Sequence, residues 1–150
     1  MAELSRVRTW ADALIRLHLD PTWTFAFDNA KTRAGLCNFT AKRISVSRYI
    51  AQRSDDDDIH QVLLHEVAHA IAGPDAGHGD AWKRVAADLG YDGGRTHDGP
   101  TPTELAPWVG TCPNGHVSYR YRAPKRVSSC GVCSRRFDPT LRITWTRRTG

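Results

Sequence analysis

Apolar positions Leu4, Val7, Trp10, Ala11, Leu14 and Ile15 recur with helical spacing, and Asp20-Pro21 stops the run, so the chain is expected to open with a helix. The next stretch, "TWTFAFD", alternates instead. Trp23, Phe25 and Phe27 fall on one face, the pattern of a half-buried strand. "NAKTRAG" reads as a turn or loop. "LCNFT" and "RISVSRY" read as two further short strands, expected to pair antiparallel. A second helix is expected over about 59–72, with Ile59, Val62, Leu63, Ala70 and Ile71 on its core face. The acidic run "SDDDD" stands at its start, where carboxylates cap free N–H groups and suit the helix dipole. Gly73-Pro74 ends it. A third helix over 80–89 buries Trp82, Val85, Ala86 and Leu89 and stops at Gly90. "YDGGRTHDGPTPTELAP" is rich in turn residues and reads as a linker. Beyond Thr111 the chain turns short and strand-like, and "LRITWTR" alternates Leu141, Ile143 and Trp145 against polar neighbours. This order predicts an α+β chain, with helices packed on a small antiparallel sheet and a small β subdomain behind. The expected divisions are 1–95, a linker over 96–110, and 111–150.

Composition changes this picture in two ways. Hydrophobic residues make up 40% of 150, and five Trp and four Phe argue against disorder. No apolar run reaches the roughly 18 residues a membrane span needs, and the charged N-terminus has no signal-peptide core. A cytoplasmic monomer is expected, nucleoid-associated if bacterial. Charge is uneven. Residues 1–110 carry twelve Lys and Arg against fifteen Asp and Glu, whereas residues 111–150 carry nine against one. A basic segment behind a mildly acidic body suits a polyanionic partner, or a solvated basic face.

The chemistry concentrates in "HEVAHAIAGPDAGHG". Residues four apart on a helix point the same way, so His65 and His69 can hold one Zn²⁺ through ring nitrogens. Glu66 stands beside that ion rather than on it, as suits a general base. His78, Asp75 and Glu104 are the candidates for a third ligand. The metzincin spacing fails, because it needs Gly at 72 and His at 75, where this chain has Ala72 and Asp75. Glu104 lies in a Pro-rich stretch. His78 is flanked by Gly77 and Gly79, which let the backbone turn back, and it is the choice made here. Three His leave a fourth position open for catalysis.

A second donor set follows. Cys112, His116, Cys130 and Cys133 have the spacing C-x3-H-x13-C-x2-C, close to a zinc ribbon with a structural zinc. His116 is the weaker member, since a regular knuckle would place its ligand at residue 115, a glycine; Cys37 competes for the fourth position. Few apolar residues surround this set, so the segment is expected to need its metal to fold. Tyr119, Tyr121, Phe137 and Trp145 are interleaved with Arg120, Arg122, Arg135, Arg136 and Arg142. Arginines among aromatics can hold phosphates and stack bases. Phe137 and Trp145 are read as the ribbon's own core, and the five arginines as nucleic-acid contacts.

At this point the chain resembles the SprT/Spartan family of zinc metalloproteases. "FAFDNAKTRAGLC", "RISVSRYI", "IHQVLLHEVAHAIAGPDAGHGDAWKRVAADLG" and the segment from "CPNGH" to "CGVCSRRF" carry the resemblance. It implies a zincin-like protease core followed by a zinc-binding subdomain. It also implies catalytic zinc ligands at His65, His69 and His78 and a base at Glu66. Eukaryotic Spartan proteins cleave proteins crosslinked to DNA and prefer single-stranded or disrupted DNA. His116 departs from an all-Cys ribbon. The expected function is that of a DNA-associated zinc endopeptidase acting on DNA-bound or DNA-crosslinked proteins. "RISVS" is the candidate sheet edge for pairing with substrate. Tyr49, Tyr91 and His97 are conceivable stabilisers of the transition state. Two rival readings remain: a nucleic-acid-binding module with structural zincs only, and a metallopeptidase without a nucleic-acid role.

Overall fold

A computed structural model describes residues 2–93 and 101–148. The chain forms two compact units, Met1–Pro102 and Thr103–Gly150.

The first unit contains helices α1 (Leu4–His18), α2 (Arg48–Arg53), α3 (Asp56–Ala72) and α4 (Asp80–Leu89), with strands β1 (Thr24–Asp28), β2 (Gly35–Asn38) and β3 (Arg43–Ser47). The sheet order is β1-β3-β2. Contrary to the sequence expectation, the sheet is mixed. β2 pairs antiparallel with β3, but β1 pairs parallel with it, Phe25 opposite Ile44 and Phe27 opposite Val46. The cause is the loop over residues 29–34, which crosses the end of β3 instead of closing a hairpin. Ser47 ties it down, its N–H donating to Ala34 O at 2.8 Å and its Oγ to Ala30 O at 2.5 Å. β1 and β2 therefore run in opposite directions on either side of β3.

This topology also overturns the assignment of "RISVS" as an open edge. β3 is the central strand, paired on both sides, and Ile44, Ser45, Val46 and Ser47 are all buried. Its serines suggest a polar outer face in the sequence, but their hydroxyls are consumed by neighbours; Ser45 Oγ donates to Asp28 Oδ2 at 2.9 Å. The open edges are β1 and β2.

Ile44, Val46, Ile50, Ile59 and Leu63 are essentially inaccessible and join α1, α3 and the sheet in one core. Each such side chain contributes about 1.5–3 kcal/mol by leaving water. α3 begins at Asp56, earlier than its apolar pattern suggests. Its N-cap Asp55 makes no side-chain capping bond, so the acidic run serves through the dipole, and through Asp56, which pairs with Arg6 at 3.2 Å. Ile71 does not anchor the helix: it is 40% exposed. α2 was not legible as a helix, since six residues give too little periodicity; Ser47 caps it by accepting from Ile50 N–H at 3.2 Å.

The second unit is a three-stranded antiparallel sheet, β4 (Trp108–Thr111), β5 (Val117–Arg120) and β6 (Thr144–Arg147), in the order β5-β4-β6. β4 starts within the stretch read as linker. Gly110 is required there: a Cβ would lie 2.5 Å from Ile143 Cγ2 and 2.7 Å from the Trp145 ring. Trp145 is half-buried, as expected of a core residue, but Phe137 is 61% exposed. Among the described residues, no helix is long and apolar enough to cross a membrane.

Candidate metal centres

α3 carries Glu66 and two of the three histidines. His65 and His69 lie on one face, and Ile59 and Leu63 on another side of the helix are held in the core. The helix ends at Gly73, whose φ of 97° and ψ of 166° suit glycine alone. The loop then turns at Gly77, with φ 52°, and brings His78 back. His78 completes the group. The three Nε2 atoms converge, 3.3 Å between His65 and His69, 3.0 Å between His69 and His78, and 3.1 Å between His78 and His65. Asp75 is not part of it among the described residues.

Three ring nitrogens facing one another cannot all be satisfied by mutual hydrogen bonds. A tetrahedral Zn²⁺ with bonds of about 2.0–2.1 Å would hold its nitrogen ligands about 3.3–3.4 Å apart, so the donor set fits that ion closely. Burial, assisted by His78, lowers the His69 pKa to about 4, which keeps its lone pair free. Glu66 is buried beside the group, with Oε1 3.8 Å from His65 Nε2. Its Oε2 is buried and has no hydrogen-bond partner among the described residues. Burial pushes this carboxyl up to about 7, and Arg33 opposes the shift. A buried carboxylate left unsatisfied is costly and marks a functional group.

Three features of this site were not anticipated from sequence. Trp82 was read as plain core, yet its ring touches all three histidines, with centroids 4.8 Å from His65, 5.3 Å from His69 and 4.7 Å from His78. Its Nε1 donates to His65 O at 3.3 Å. Gly35 on β2 lies against the base: a Cβ there would fall 2.9 Å from both Glu66 Cγ and Val62 Cγ1. Tyr91 contacts His65 Nδ1 at 3.3 Å, on the ring edge away from the other two histidines. Its side chain therefore backs a histidine. Tyr49 lies on α2 under the Arg53 guanidinium, and His97 lies outside the described residues.

In the second unit, Cys112, His116, Cys130 and Cys133 form a second group able to hold a metal among the described residues. His116 presents Nδ1, at 3.4, 3.5 and 3.3 Å from the sulfurs of Cys112, Cys130 and Cys133. Cys112 and Cys133 are 3.9 Å apart. Bonds of about 2.3 Å to sulfur and 2.0–2.1 Å to nitrogen give separations of this size around a tetrahedral Zn²⁺. Burial raises the Cys112 thiol, but hydrogen bonds from the His116 and Asn114 backbones outweigh it and bring it down to about 6. Asn114 Nδ2 donates to Cys133 Sγ at 3.2 Å. Cys37 is not in this group; it sits half-buried on β2, and burial pushes its thiol up to about 12, as for an inert thiol.

Of the five arginines assigned to nucleic acid, Arg120 lies 4.9 Å from the Trp145 ring and caps the unit's own core. Arg122, Arg135, Arg136 and Arg142 are exposed.

Comparison with known proteins bears on the first unit. A model of the SprT-like family matches residues 5–101. The chain belongs to the SprT-like family. This family is associated with zinc metallopeptidase activity. The match stops before the Cys-containing unit, so the ribbon reading rests on its own donors. No curated protein matches the chain.

Proposed function

We propose that this SprT-like chain is a zinc endopeptidase whose basic second unit holds it on DNA, single-stranded or locally disrupted, where it cuts proteins bound or crosslinked there. The observation that carries the reading is the convergence of three Nε2 atoms at 3.0–3.3 Å beside a buried glutamate. His65, His69 and His78 would hold the catalytic zinc, and Cys112, His116, Cys130 and Cys133 a structural one. Bound to the histidines, zinc would supply Lewis acidity, lowering the pKa of water and polarising a carbonyl. Glu66 takes a proton from the attacking water at its carboxylate and passes it to the leaving amine. Burial of this carboxyl keeps its affinity for a proton near that needed at neutral pH.

Since β3 is internal, β2 is the edge proposed for substrate pairing. It is an outer strand, and its Gly35 backbone lies against Glu66. Backbone pairing selects extended geometry rather than sequence. Such a peptidase needs its substrates restricted by other means, and retention on DNA supplies that. Gly35→Ala is expected to displace Glu66 and lower kcat about 10–100-fold, with metal content and KM near wild type; an unchanged kcat removes this contact from the mechanism.

The deciding experiment mixes the zinc-loaded protein with a DNA-binding protein, with and without single-stranded DNA. Cleavage only with DNA is expected. Cleavage independent of DNA favours a peptidase without a nucleic-acid role, and no cleavage favours a binding module. Arg135 and Arg136 are the proposed phosphate contacts. Neutralising both should weaken single-stranded DNA binding and reduce the slope of log affinity against log salt by about 1.4. An unchanged slope excludes them.

A further inference from the structure

Tyr91 contacts the His65 ring and has no part in the chemistry above, and Gln61 and Gly93 enclose Tyr91 in turn. We propose that Gln61, Tyr91 and Gly93 form a clamp that orients His65 and thereby sets the affinity of the His65, His69 and His78 group for its metal. The inference rests on reading those histidines as ligands.

His65 turns Nε2 towards the other two histidines and Nδ1 towards Tyr91 Oη, 3.3 Å away. A neutral imidazole carries its hydrogen on one nitrogen only. With Nε2 as the donor atom to a metal, Nδ1–H donates to the phenol oxygen. The two rings meet edge to face, with centroids 5.4 Å apart at 82°. A partner on the second ring nitrogen fixes the tautomer and the ring plane of a histidine ligand.

Tyr91 itself belongs to no helix or strand, so something else must hold it. It follows Gly90, the left-handed residue that ends α4, with φ 92° and ψ 14°. Gln61 brackets it. Gln61 Nε2 donates to Gly90 O at 3.4 Å, and Gln61 Oε1 accepts from Asp92 N–H at 3.0 Å. Gln61 and His65 are one turn apart on the same face of α3. The helix that presents the ligand thus also presents the amide that holds the ligand's partner. Gly93 closes the other side, because a Cβ there would lie 2.6 Å from Tyr91 Oη. The ring of Trp82, 5.7 Å from Tyr91 and 4.8 Å from His65, backs both.

The test titrates Zn²⁺ into metal-free full-length protein against a chromophoric chelator. Tyr91→Phe removes one oxygen and keeps the ring. It should weaken Zn²⁺ binding at the histidine group about 10–100-fold, while the Cys112, His116, Cys130 and Cys133 group is unchanged. Gln61→Ala should weaken it in the same direction. The double variant should match Tyr91→Phe within about twofold, because Gln61 acts through Tyr91. Should Gln61→Ala lose its fold by circular dichroism, Gln61→Glu, which keeps the acceptor for Asp92, replaces it, with a smaller loss expected. Affinity within about twofold of wild type in Tyr91→Phe, or full additivity in the double variant, overturns the clamp. So does a loss of kcat that saturating Zn²⁺ fails to restore, which would make Tyr91 a catalytic group. If the wild type takes up no Zn²⁺ at its histidines, the ligand reading itself fails, and the clamp with it; normal uptake with unaffected variants sinks the clamp alone.

Discussion

Glu66→Gln is expected to abolish protein cleavage and to leave the metal content of both groups at the wild-type level. The substitution keeps shape and removes only the ability to take a proton. Glu66 is next to a ligand but is not one of the three converging donors, so the histidine group survives. General-base removal costs about 10²–10⁴-fold in rate. Gel-based cleavage alongside elemental analysis of the purified protein checks both halves. Turnover near wild type would remove Glu66 from the chemistry. Stability should move the other way. Burial raises this carboxyl from its ordinary 4.5 to about 7 in the folded, metal-free chain. The unfolded chain therefore loses its proton first as pH rises, and folding is penalised increasingly from pH 4.5 to pH 7 and fully above that. Gln carries no such penalty. The melting temperature of metal-free Glu66→Gln should exceed that of metal-free wild type at pH 8, and the gap should close towards pH 4.

Cys130→Ser is expected to unfold residues 103–148 and to leave the first unit folded. Among the described residues of this unit, the buried apolar side chains are Ala106, Cys112 and Cys130, and two of these are themselves donors. Val117, Val127, Val132 and Phe137 are exposed. The half-buried Val109, Ile143 and Trp145 make a small core, which the metal would supplement. Structural zinc contributes roughly 10–16 kcal/mol of apparent binding free energy in comparable small peptides, and folding depends on it. Amide dispersion in a heteronuclear NMR spectrum should collapse for this segment and persist for Ala2 to Gly93. Retention of single-stranded DNA should vanish with it. A dispersed second unit in Cys130→Ser would show that the strands hold without the metal.

Much of the first unit was legible because its signals are local. Val7, Ala11 and Ile15 announce α1, and α4 matches its apolar pattern and Gly90 stop residue for residue. The histidine set was legible too, since HExxH is a statement about one helical face, and the glycines at 73 and 77 permit the return of His78. What was misread depends on neighbours. "RISVS" alternates like an edge strand, but its serines are buried because Asp28 and Ala30 accept their protons. Ile71 follows the helical period but lies near the end of α3, where it is 40% exposed.

By itself, then, the chain's order of residues determined most of the elements, the donor sets and the uneven charge, because periodicity, capping and metal-ligand spacing act over a few residues. Only the tertiary structure decided that β1 runs parallel to β3, that β2 is an edge beside Glu66, that Trp82 braces three histidines, and that Tyr91 backs His65. These facts join residues up to about 30 positions apart. Their partners are chosen by packing and by the need to satisfy buried polar groups, and a linear pattern does not encode which of several compatible neighbours will arrive.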